Sequence, residues 1–214
     1  MICVSIGELS VKKCLGALKG LNFAEIRIDK IRRFPAGSVP KIFSRPLRLI
    51  ATCRPGILDD ATRKRLLTDA IEAGAAFVDI EIESSKEYKK EIIEKAKAHR
   101  CKVIISFHNY IKMPKKAELN HIIKKSFKAG ANIVKIACKV RSEKENAELL
   151  GLLDSTNKNV VVVGMGKKGI ITRIIAPLLG SPFTYASVSK GKETAEGQLD
   201  KNTIKRIMEN LKSV

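Results

Sequence analysis

Short runs of β-branched and small apolar residues recur along the chain roughly 25 residues apart, the length of one strand, one returning helix and two short loops. The strand candidates are 2–6 (ICVSI), 23–29 (FAEIRID), 48–54 (RLIATCR), 77–83 (FVDIEIE), 102–108 (KVIISFH), 132–138 (NIVKIAC), 160–165 (VVVVGM) and 183–187 (FTYAS). Between them lie amphipathic, charge-rich stretches, which predict helices over 8–19, 59–74, 85–100, 115–130, 142–156, 168–180 and 199–212, several ending at a glycine such as Gly74 or Gly130. The segment 30–46 contains Pro35, Pro40 and Pro46 and carries the weakest helical signal.

Alternation of strand and helix gives parallel strands, and a count of eight allows closure, so the pattern predicts an α/β chain folded as a (β/α)8 TIM barrel, a single compact domain over 1–214. A doubly wound open sheet is the alternative. Two strands separate them. In 77–83, Val78, Ile80 and Ile82 share one face while Asp79, Glu81 and Glu83 share the other; in 23–29, Ala24, Ile26 and Ile28 oppose Glu25, Arg27 and Asp29. A sheet covered by helices on both sides would be apolar on both faces. A barrel with a polar mouth sets the apolar face against the helices and the charged face inside.

In such a barrel the chemistry gathers at the C-terminal ends of strands. There the chain offers Glu25, Arg27 and Asp29, then Thr52 and Arg54, Glu81 and Glu83, Ser106 and His108, with Lys135 near the middle of strand 6. Parity groups Lys135 with Ile133 and Ala137, neighbours that would strip its water. Only about one free lysine in 2,500 is neutral at pH 7. Burial, with Arg27 and Arg54 as cationic neighbours, would raise that fraction. A neutral amine can attack a ketone and form a Schiff base that acidifies an adjacent C–H bond. The structural alternative is that Lys135 pairs with Glu81 or Asp79. Of three histidines, His99 and His121 fall in charged helices; His108 closes the strand before the lysine, within reach for proton transfer.

The formal charge of +19 is spread over the helices, and with ten aromatic residues and no tryptophan it describes a solvated basic surface rather than a nucleic-acid platform, one that still attracts small anions. Five cysteines without a CxxC pair, and no His–Cys cluster, predict reduced buried thiols and no metal. No apolar run is long enough to span a bilayer and no signal segment opens the chain, so a cytoplasmic protein with no membrane partner is expected. Abundant Lys and Ile with a single Gln suit a thermophilic source. GMGKKG, at 164–169, lacks GxGxxG spacing but lies after strand 7, a phosphate position in some barrels.

Taken in order, EIRID (25–29), ATCRP (51–55), VDIEIE (78–83), IISFHNY (104–110), VKIA (134–137) with Lys135 27 residues after His108, GMGKKGIITR (164–173) and EGQ (196–198) resemble type I 3-dehydroquinate dehydratase, over almost the whole chain. The resemblance implies conversion of 3-dehydroquinate, a small-molecule substrate, to 3-dehydroshikimate and water, with no cofactor. It implies that Lys135 forms an imine with the C3 ketone, and that His108 assists carbinolamine breakdown, removes a C2 proton and delivers it to the departing C1 hydroxyl in a syn elimination. Arg173 would hold the substrate carboxylate. Glu25, Arg27, Arg54 and Gln198 would read ring hydroxyls, aided by Ser5 and Thr194, and the loop 189–198 could close over the ligand.

Three departures from the family pattern stand out. The acidic residue often found soon after the strand-3 arginine is replaced by Leu58, with Asp59 and Asp60 just beyond; Thr194 stands where a serine is common; and the chain starts at strand 1, with no N-terminal hairpin to plug the barrel floor. Small barrels of this kind often pair, so a homodimer is expected. The rivals are a class I aldolase acting on a sugar phosphate, and a basic nucleic-acid-binding barrel whose affinity would fall steeply with salt.

Overall fold

The structure, a computed structural model, describes residues 1–32, 35, 37–154 and 159–212. Eight strands alternate with eight helices: β1 (Ile2–Ile6), α1 (Val11–Ala17), β2 (Phe23–Arg27), α2 (Ser38–Phe43), β3 (Arg48–Thr52), α3 (Asp60–Glu72), β4 (Phe77–Glu81), α4 (Lys86–Ala98), β5 (Lys102–Asn109), α5 (Lys116–Lys128), β6 (Ile133–Lys139), α6 (Glu143–Leu150), β7 (Val160–Met165), α7 (Ile170–Ile175), β8 (Thr184–Ser187) and α8 (Lys201–Lys212). Parallel strands in strict alternation with helices make this the (β/α)8 TIM-barrel class that the sequence pattern predicts. The described residues fall into two compact units, 5–104 and 1–4 with 105–214.

Within 5–104, β2, β3 and β4 pair in parallel, with Arg27 opposite Thr52 and Thr52 opposite Asp79. Helices start where an oxygen-bearing side chain can take an orphan N–H: Ser10 accepts from Lys13 N in α1, Asp59 from Thr62 N in α3, and Ser85 from Tyr88 N in α4. The proline-rich stretch does hold a helix, α2. Pro40 falls in its first turn, where an N–H has no acceptor to lose. Residues 33, 34 and 36 of that stretch lie outside the described residues.

In the other unit β6 pairs in parallel with β7, Lys135 opposite Val161. Val134, Ile136 and Cys138 of β6 pack with Val160 and Val162 of β7 against Leu119 and Ile123 of α5 and Leu149 of α6, and Phe107 of β5 packs on the same cluster. One parity of these strands is thus spent on helix packing. The predicted helix 168–180 is split: Pro177 cannot donate to a continued α-ladder, and residues 176–179 tighten into a 3-10 turn. The predicted helix 142–156 becomes α6, and positions 155 and 156 lie outside the described residues.

The predicted strands 23–29, 48–54 and 77–83 all overshoot. β2 stops at Arg27 because residues 28–30 turn into a 3-10 helix, which folds the Asp29 carboxylate back onto the Arg27 guanidinium. β3 and β4 stop at Thr52 and Glu81, so Arg54 and Glu83 lie on loops. All five cysteines are free and buried, and burial raises the thiols of Cys14, Cys53, Cys101 and Cys138 to about 12. No helix among the described residues is long and apolar enough to cross a membrane.

Candidate active site

Unit 5–104 gathers its polar residues at the ends of β1 to β4. The buried Glu25 carboxylate accepts one hydroxyl on each oxygen, from Ser5 at 2.5 Å and from Thr52 at 2.9 Å. Arg27 makes a two-pronged pair with Asp29, Nε to Oδ1 at 3.0 Å and Nη2 to Oδ2 at 2.6 Å, and the Arg54 backbone N–H donates to the same Asp29. The Arg54 side chain forks onto both oxygens of Asp79, at 2.9 and 2.8 Å, and reaches Glu81 at 2.8 Å.

Burial alone would lower the Arg54 pKa; Asp79 and Glu81 override it and raise it well above its ordinary value. Arg27 is raised for the same reason, Asp29 outweighing burial. Both arginines are thus paired with carboxylates within their own unit. Removing one partner of such a group strands the others: Arg54→Met is expected to cost about 3–5 kcal/mol of stability at pH 7. Denaturant unfolding should show the gap from wild type narrowing as pH falls and the two carboxylates protonate.

In the other unit, Lys135 is 7% exposed. Strand parity puts it opposite the helix-packed face made by Val134, Ile136 and Cys138. By the same rule His108 lies opposite Phe107, on the side of β5 away from the helices. Histidine and lysine therefore occupy corresponding faces of neighbouring strands. The Lys135 ammonium lies 4.2 Å from the centroid of the Tyr185 ring in β8, a cation–π contact that partly replaces lost water. His108 stacks on Tyr110, with centroids 5.9 Å apart and planes at 12°. His99 and His121 are exposed, as their helical setting predicts.

Arg173 is the least conventional group in this unit. It is 1% exposed, yet among the described residues no carboxylate pairs with it. Among the described residues its donors meet only two backbone oxygens at long range, Tyr185 O at 3.4 Å and Glu196 O at 3.3 Å, and Nε meets no partner. Burial lowers its pKa to about 10. Local backbone geometry puts it there. A Cβ on Gly169 would fall 2.4 Å from the Gly164 carbonyl carbon, so only glycine lets α7 fold back against the end of β7; Thr172 Oγ1 then accepts from Gly164 N at 2.8 Å. Thr194 and Gln198 come together in the loop after β8, where Thr194 donates to Gln198 Oε1 through both N (2.7 Å) and Oγ1 (3.2 Å).

This unit thus holds a desolvated lysine and a histidine on one side of adjacent strands and a buried arginine with no carboxylate partner among the described residues, groups whose chemistry suits an amine reaction on a small anion. The family model for type I 3-dehydroquinase matches residues 2–213. The chain belongs to that family. A 3-dehydroquinate dehydratase from Methanocaldococcus jannaschii is 33% identical over 215 residues, 97% of each chain, and one from Methanococcus vannielii is 31% identical over 216 residues, 97% of this chain and 98% of its own. The type I 3-dehydroquinate dehydratase of Clostridium difficile shares the fold, with a TM-score of 0.88 at 24% identity over 100% of this chain and 92% of that one. The family is one of hydro-lyases, and this chain is an enzyme of that class.

Tyr185, which faces the lysine, was not singled out by sequence. Asp29 and Asp79 were named there, the first among the strand-end groups and the second as a possible partner of Lys135; here they hold the two arginines, partners that depend on register between strands. Asp59 and Asp60, which follow Leu58, are used locally: one caps α3 and the other pairs with Arg63 at 2.5 Å. Lys168 in GMGKKG is paired with Glu143.

Proposed function

We propose that the chain dehydrates 3-dehydroquinate to 3-dehydroshikimate through a Schiff base on Lys135, within the shikimate pathway. The observation that carries this reading is the buried Lys135 amine, turned away from the helices and toward the ring of Tyr185. The neutral amine adds to the C3 ketone, and the carbinolamine loses water to give an iminium. That cation draws electrons from C2. His108 removes the C2 proton, the C1 hydroxyl leaves with a proton returned by His108, and hydrolysis of the conjugated imine frees product and lysine. One water is lost overall and no electron is transferred to an outside acceptor, so the lysine serves as the electron sink and no cofactor enters.

The Tyr185 face has two opposed effects on this scheme. It holds the resting ammonium, which lowers the neutral fraction, and it also favours the iminium, the cation present when the C–H bond breaks. Arg173, desolvated and with no carboxylate partner among the described residues, is the proposed partner of the substrate carboxylate; a guanidinium fork suits that planar anion. Thr194 and Gln198 in their loop, and Ser5, Glu25, Arg27 and Arg54 in the 5–104 unit, are the proposed readers of ring hydroxyls.

Addition of 3-dehydroquinate should produce the absorbance of the conjugated enone product. Borohydride added during turnover should leave a reduced adduct that mass spectrometry places on the Lys135 peptide. Absence of turnover would remove the substrate assignment. Turnover with no trapped adduct would remove the imine and leave the dehydration.

A further inference from the structure

The loop after β8 is fastened at a point that neither the proposed chemistry nor the substrate contacts use. Lys139, the last residue of β6, pairs through Nζ with Glu196 Oε2 at 2.5 Å, across 57 residues of chain. Its side chain reaches there by lying across Gly166, where a Cβ would sit 2.9 Å from the ammonium and 3.1 Å from Cε. Glu196 is held again through its backbone oxygen, which accepts from Gly166 N and from Arg173 Nη2, each at 3.3 Å. The next residue, Gly197, has φ +73°, and a Cβ there would meet Gly166 O at 2.4 Å. The loop is therefore pressed backbone to backbone on the β7–α7 turn. Its base is closed by Ser187 N donating to Leu199 O at 2.9 Å.

We infer that the Lys139–Glu196 ion pair is a latch that keeps the 189–198 loop closed, so that these two side chains set substrate affinity as positioning residues without touching substrate. This rests on the proposed use of Arg173, Thr194 and Gln198 for substrate. One residue links latch to site: Glu196 carries the carboxylate of the pair and the carbonyl that meets Arg173. Its neighbours in the same loop are Thr194 and Gln198. An exposed ion pair contributes modestly, so the latch biases an equilibrium between open and closed loop rather than locking it.

Hydrogen exchange of the 189–199 segment in the ligand-free protein reads that equilibrium directly and does not need catalysis. Glu196→Gln and Lys139→Gln are each expected to speed it about two- to five-fold. The swap Lys139→Glu with Glu196→Lys should bring it back toward the wild-type rate. Raising salt to about 0.5 M should speed exchange in wild type but not in Glu196→Gln. With 3-dehydroquinate, the same variants should raise KM by a similar factor and leave kcat within about twofold. Unchanged exchange in both single variants would overturn the latch whatever the kinetics. Altered exchange with an unaltered KM would overturn its role in affinity. Absence of turnover in wild type would count against the substrate assignment and leave the exchange result to judge the latch.

Discussion

Lys135→Ala is expected to lower kcat for 3-dehydroquinate by a factor on the order of 10⁴ or more, and to abolish the borohydride-trapped adduct. Of the other lysines at this end of the strands, Lys139 is engaged with Glu196, and Lys168 with Glu143. The fold should survive. A buried ammonium has given up most of its hydration, and the cation–π contact with Tyr185 recovers about 2 kcal/mol. Lys135→Met keeps the length of the side chain without its charge, so its activity is expected to match that of Lys135→Ala. His108→Ala leaves the nucleophile in place. It should slow turnover by about 10² to 10⁴, yet still let borohydride capture an adduct. That contrast separates the two roles: loss of adduct with loss of the lysine, retention of adduct with loss of the imidazole. A Lys135→Ala enzyme within tenfold of wild type would end the Schiff-base reading.

The placement of Lys135 was legible in the chain because it depends on local parity alone. In NIVKIAC the residues on either side of the lysine are large and β-branched, and they are the ones packed on α5 and α6. The ends of the strands were harder to see. Alternation continues through Asp29 and Glu83 in the sequence, but a guanidinium two residues away can draw a carboxylate out of the ladder, as Arg27 does to Asp29. Nor could the chain say which charges neutralise which. Arg54 had Glu81 and Asp79 within range on one strand and takes both, because the register sets Thr52 opposite Asp79. Arg173 was identified by family resemblance only. IITRII reads as a plain amphipathic turn, and its burial follows from the Gly164–Gly169 contact, a property of two glycines' positions in space. The Lys139–Glu196 pair, 57 residues apart, leaves no local signature at all.

Arg173→Met is expected to move stability and affinity in opposite directions. In the ligand-free protein the guanidinium lacks a carboxylate partner among the described residues, its Nε is unsatisfied, and burial brings its pKa down to about 10. At about 1.4 kcal/mol per pH unit, holding that charge costs the folded state on the order of 3 kcal/mol. Methionine removes the cost and forfeits two long hydrogen bonds, at 3.4 and 3.3 Å, for a net gain of about 1–2 kcal/mol and a rise of a few degrees in thermal midpoint. The pH dependence has a definite sign. The arginine's pKa in the folded chain lies below its value in the unfolded chain, so the folded state binds the proton more weakly. Below pH 10 both states are protonated and the penalty is present in full; it fades only as pH climbs through the folded value toward the ordinary arginine range. Wild type and variant should therefore differ by a constant amount from pH 6 to 9 and converge above pH 10. Substrate reverses the ranking, since a carboxylate offsets the buried charge: KM of the variant should rise by about 10² or more, and 3-dehydroquinate should raise the thermal midpoint of wild type much more than that of Arg173→Met. A variant less stable than wild type and unchanged in KM would mean that the charge at 173 is structural and that substrate binds elsewhere.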